Sequence, residues 1–90
     1  MKIVINRCYG GFGLSEKAYE LLGVPWDGFG HASGVARNDP HLVSVVEQLG
    51  DDANGRYAEL AVVEIPDDVE WHIEDYDGME SIHENHESWG

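Results

Sequence analysis

The spacing of apolar positions changes along this chain, and each change marks an expected element. Ile3, Val4 and Ile5 form a β-branched run expected as an interior strand over 2–6. It breaks at Arg7-Cys8-Tyr9-Gly10-Gly11-Phe12-Gly13, where three glycines in four positions open dihedrals that other residues avoid. Ser15 is a good helix N-cap, Leu14 can staple onto Tyr19, and Gly23 stops the helix after Leu21 and Leu22. Residues 24–38 lack periodicity and read as a long Gly-rich loop, of the kind usually tied to function or motion.

Asp39-Pro40 then predicts a second helix, with Asp as cap and Pro at the first turn. Leu42, Val43, Val46 and Leu49 share one face before Gly50 ends it, and Asn54-Gly55 turns the chain into a strand at about 57–65. After Pro66-Asp67-Asp68, the residues Val69, Trp71 and Ile73 alternate with Glu70, His72 and Glu74, the period-two pattern of a half-buried strand. Asp77 and Glu80 have capping-box spacing for a last helix, with Met79, Ile82, His86 and Trp89 along one face. The expected order is β-α-α-β-β-α. It implies a single α+β domain over 1–90, with helices on one face of a three-stranded mixed or antiparallel sheet.

Composition narrows the function. Fifteen of the 18 acidic residues follow Asn38, accompanied by one basic residue, Arg56, whereas residues 1–38 hold four basic and three acidic side chains. A net charge of −13 on 90 residues exceeds the magnitude of about 2–8 that solubility alone calls for. Such a surface repels nucleic acid and attracts cationic partners within a screening length of ~8 Å. A chain this short buries only about 60% of its unfolded surface, so self-association would help it. The single cysteine excludes an internal disulfide and suits a reducing compartment. With no leader-like or membrane-spanning apolar run, the sequence reads as cytoplasmic and soluble.

Four candidate chemistries follow. The Gly-rich segment between a strand and a helix could cradle an anion on its backbone, with Arg7, Tyr9, Gly10, Gly11 and Gly13 as a ligand loop. It matches neither the Walker A nor the dinucleotide fingerprint, and the alternative is a tight connection that lets Tyr9 and Phe12 pack. Cys8 has no His near it in sequence, and no catalytic constellation emerges, so an enzyme is not expected. His83 and His86, three apart on the expected helix, could join His72 or Asp75 at a zinc ion, but the same spacing suits a solvated face, and neither metal nor cofactor is assigned.

The acidic stretch is the fourth candidate. Glu70, His72 and Glu74 would share an exposed face about 6.7 Å apart. Asp67, Asp68, Asp75, Asp77, Glu80, Glu84 and Glu87 extend the charge on either side. B-DNA presents a charge every ~3.4 Å per strand, so an acidic ridge could occupy a basic nucleic-acid channel. The alternative is a solvated face.

The strings Lys2-Ile-Val-Ile-Asn-Arg-Cys-Tyr-Gly-Gly-Phe-Gly-Leu-Ser15, Val63-Glu-Ile-Pro-Asp-Asp-Val-Glu-Trp71 and Asp75-Tyr-Asp-Gly78 resemble those of small, mostly uncharacterised proteins of tailed phages and prophages. The resemblance spans most of the chain and is weakest over 24–38. It implies a phage product in a bacterial host cytoplasm, a class that includes inhibitors of host defence of the anti-CRISPR or anti-restriction type. Two expectations result. One is a non-enzymatic protein that binds a basic host protein through its acidic surface, without contacting nucleic acid or membrane. The other is a small-molecule module that sequesters a nucleotide immune signal in the Gly-rich loop.

Overall fold

The computed structural model describes residues 1–26, 28, 30 and 34–84. Strand β1 (Lys2–Asn6) leads through the Gly-rich loop to helix α1 (Glu16–Leu22), and helix α2 (Pro40–Leu49) runs into a 3-10 turn at Gly50–Ala53. Three strands follow: β2 (Leu60–Glu64), β3 (Trp71–Tyr76) and β4 (Met79–Glu84). The fold is α+β; the described residues form two α-helices and two separate two-stranded antiparallel sheets, β1–β2 and β3–β4.

Both helices begin and end where the sequence predicts. The Ser15 hydroxyl accepts the Ala18 N–H at 3.1 Å and donates to the Asp52 carbonyl at 2.6 Å, so the cap also ties α1 to the 3-10 turn. Gly23 takes the left-handed conformation (φ 77°) and donates to the Tyr19 and Glu20 carbonyls, closing the last turn. Asp39 accepts the His41 and Leu42 amides ahead of Pro40. Leu42, Val43, Val45 and Val46 of α2 are buried with Val4, Leu14, Ala18, Tyr19 and Ala53 in one core cluster.

Among the described residues, neither the last helix nor the three-stranded sheet is formed. The segment expected to be helical is β4 as far as Glu84; His86, Glu87 and Trp89 lie outside the described residues. The reason is the turn: Asp77 and Gly78 both have positive φ, 52° and 92°, the combination that matches a two-residue turn to strand twist. That turn folds β4 back on β3 in register, with His72 opposite His83 and Tyr76 opposite Met79. The Asp77–Glu80 spacing mimics a capping box, but Asp-Gly between two runs of alternating residues is a hairpin signal. β3 accordingly pairs with β4 and not with β2, whose strand partner is β1 from Lys2–Glu64 to Asn6–Leu60.

β1 is the centre of the molecule, buried from Ile3 to Asn6. Val4 belongs to the helix-side core, whereas Ile5 lines a groove with Val63, Ile65, Met79 and Ile82 on the hairpin side. No helix among the described residues is long and apolar enough to cross a membrane.

Candidate functional site

Among the described residues no strand pairs with the edge of β1 away from β2, and Arg37 and Glu80 satisfy it instead. The Val4 amide donates to the Arg37 carbonyl at 2.9 Å, and the Arg37 guanidinium reaches the Val4 carbonyl at 3.3 Å. The Asn6 amide donates to Glu80 Oε1 at 2.9 Å. Arg37 and Glu80 join in a two-pronged pair at 2.6 and 2.8 Å, with the guanidinium stacked 3.6 Å over the Phe12 ring. The Glu80 side chain is only 5% exposed, so this carboxylate fastens the hairpin to the core and does not belong to the exposed acidic surface assigned from sequence.

Asn6 is the second fastening. Its side-chain amide donates to the Cys8 and Gly78 carbonyls at 2.7 and 2.6 Å, and its oxygen accepts the Glu59 amide at 2.8 Å. A fully buried Asn is thereby satisfied while linking β1, the Gly-rich loop, the start of β2 and the hairpin turn. The Cys8 thiol donates to the Tyr57 carbonyl at 2.9 Å and approaches the Asn6 oxygen at 3.4 Å, a structural use of a residue considered for reactivity.

The acids are distributed by this anchoring. Of the eight carboxylates between 67 and 84, all except Glu80 are exposed, and the interval contains no Lys or Arg. Asp67 pairs with the Met1 ammonium, while Asp75 accepts the Gly78 amide at 2.8 Å and braces the turn. Asp68, Glu70, Asp77 and Glu84 are exposed to solvent. On the outer face, the His72 and His83 rings stack with centroids 5.7 Å apart. Glu74 reaches both, at 2.8 Å from His72 Nε2 and 3.5 Å from His83 Nε2. The hydrogen bond from His72, then the charge of His83, hold the Glu74 carboxyl below its usual range. His83 also meets the Ser81 hydroxyl at 2.9 Å. The histidine pairing expected at i, i+3 on a helix is replaced by a cross-strand pairing of His72 with His83, and His86 lies outside the described residues. Among the described residues no group of three or more His, Cys, Asp or Glu is arranged to hold a metal ion.

The ligand loop divides between two surfaces. Gly10, Gly11 and Gly13 line a cleft of about 480 Å³ together with Phe12, Trp26, Asn54, Gly55, Arg56 and Tyr57. Arg7 lines a separate groove with Ile5 and Met79, and Tyr9 is exposed without lining the cleft. The two segments meet so closely that only glycine fits. The Gly55 amide donates to the Gly13 carbonyl at 2.9 Å, and a Cβ on Gly10 would stand 1.9 Å from the Tyr57 carbonyl oxygen. Arg56 and Tyr57 were not assigned from sequence, because their role rests on a contact between segments some 45 positions apart in the chain. The Asn54-Gly55 turn beside them was the only local signal.

Comparison with protein-family models, with curated proteins and with solved structures finds no match to this chain.

Proposed function

We propose that this chain is a phage-encoded, non-enzymatic accessory protein that inhibits a host defence system. It would do so by binding a basic, nucleic-acid-binding protein of the CRISPR or restriction class. The observation that carries the reading is the hairpin with the segment that leads into it: seven exposed carboxylates between 67 and 84, with no Lys or Arg among them. Glu74, Asp75 and Glu84 stand on strands β3 and β4, Asp77 in their turn, and the Arg37–Glu80 ion pair fastens that hairpin to the core. Ordered carboxylates need no rearrangement to meet a cationic channel, and their field speeds encounter.

The test is inhibition of purified CRISPR effector and restriction nucleases across about 50 to about 200 mM salt, the interval over which charge-driven contacts lose most of their strength. Inhibition should fall steeply with salt and vanish in Glu70→Lys/Glu74→Lys/Asp77→Lys, all three positions being exposed. Inhibition that ignores salt, or that survives the triple reversal, sinks the mechanism.

A further inference from the structure

We infer that the cleft between the Gly-rich loop and the Asn54–Tyr57 turn is a binding site for a nucleoside monophosphate, with Arg56 on the phosphate, Tyr57 stacked on the base and Trp26 as a second wall. It is separate from the hairpin surface, and its acceptance or rejection leaves the reading above untouched.

Charge pairing is the first ground. Lys2 pairs with Glu47, Lys17 approaches Asp52, and Arg37 is committed to Glu80. Among the described residues only Arg7 and Arg56 are basic side chains without an ion pair, in a chain with 18 acids. Of those two, Arg56 lines the cleft. An exposed guanidinium left unpaired beside a concave surface is a place for an external anion.

The walls supply the rest. Tyr57 is 67% and Trp26 41% exposed, although both rings border the cleft. Trp26 is held in place edge-on to Tyr19, at a centroid distance of 5.0 Å and an angle of 81°, so one ring edge is committed while much of the ring remains accessible. Phe12 is less suited to stacking a ligand, because the Arg37 guanidinium already lies over its ring. Glycines at 10, 11, 13 and 55 leave the intervening wall without side chains. The volume of about 480 Å³ falls within the ~300–1,000 Å³ of small-molecule sites. Glu16 also lines the cleft and offers a carboxylate to an exocyclic amine or ribose hydroxyl. An aromatic platform with one cation and one acceptor fits a base carrying a single phosphate. A polynucleotide is disfavoured by the net charge of −13.

The experiment is calorimetric titration of the full chain with AMP, GMP, CMP and UMP, alongside adenosine and inorganic phosphate as separated halves. At least one monophosphate should bind more tightly than either half. Arg56→Ala should weaken it about 10-fold or more, and Tyr57→Ala about 10-fold. Both residues are exposed, so the variants should keep the parent far-ultraviolet circular dichroism. Tyr57→Phe should retain affinity, since stacking needs the ring and not the hydroxyl. Absence of binding by all four monophosphates overturns the inference. So does binding unchanged in Arg56→Ala, or phosphate alone binding as well as a nucleotide.

Discussion

The two antiparallel pairs of this molecule are built on opposite principles. β1–β2 joins segments about sixty positions apart, from Lys2–Glu64 to Asn6–Leu60, and β1 is buried from Ile3 onward. β3–β4 joins neighbours through a two-residue turn and keeps one face in water. The first pair is rich in Val, Ile and Leu. The second alternates apolar with charged residues and carries much of the acidic surface. The difference shows that acids near one another in sequence do opposite work. Glu74 stands on the outer face between two histidines, while Glu80 is sunk against β1 and completes its unpaired edge. A strand edge left without a strand is satisfied here by one carboxylate, one guanidinium and one backbone carbonyl.

The comparison breaks most sharply at Glu80. Glu80→Ala leaves Arg37 partly buried without its partner and the Asn6 amide without its acceptor, so urea denaturation should register a loss of about 3–5 kcal/mol. Glu74→Ala, on the other face, should leave the denaturation midpoint close to the parent's, because the side chain is exposed. Equal losses for the two would erase the distinction between anchoring and display.

The turn offers a second, smaller contrast. Gly23→Ala strains a left-handed φ of 77° in open space and should cost about 1–2 kcal/mol. Gly78→Ala has φ 92° and also drives a Cβ to 2.5 Å from the Gly11 amide nitrogen and 2.6 Å from the Tyr9 carbonyl oxygen. It should therefore cost more than Gly23→Ala, and hydrogen exchange should locate the loosening at the Gly-rich loop and the hairpin. A thermal melt ranking the two variants the other way would show that the turn is not pressed against the loop.

The smallest expected effect is on acid stability. Because the Glu74 carboxyl is lowered in the fold, its contribution is present above the unfolded carboxylate range near ~4.3 and is lost as pH falls through the lower folded value. Melting temperatures followed from about pH 5 to about pH 2 should fall less steeply in Glu74→Gln than in the parent. The difference should be slight, since the group is exposed and screened. Identical slopes would mean that the histidines leave no imprint on this carboxylate.

Sequence alone made both helices legible, with their caps at Ser15 and Asp39 and their glycine stops, because capping is settled within a few residues by local hydrogen bonds. The strands at 2–6 and about 57–65, and the outward parity of His72 and Glu74, were legible for the same kind of reason: period-two spacing is local. The last segment misled because Asp77 and Glu80 suit both a helix cap and a hairpin. The choice between them came from the Asp77-Gly78 dihedrals and from the burial that Glu80 finds beside Arg37.

The candidate surfaces divide along the same line. The acidic character of residues 67–84 is a matter of composition, so it was visible in the chain. Which carboxylate is withdrawn from that surface was not, because Glu80 meets Arg37 and Asn6 only across 43 and 74 positions. The cleft likewise needs Gly13 to touch Gly55, which replaced Arg7 and Tyr9 by Arg56 and Tyr57 beside the glycines. Local spacing and net charge are properties of the sequence. The pairing of a charge, and therefore whether it anchors the fold or faces a partner, is decided by which distant segments the burial of apolar surface brings together.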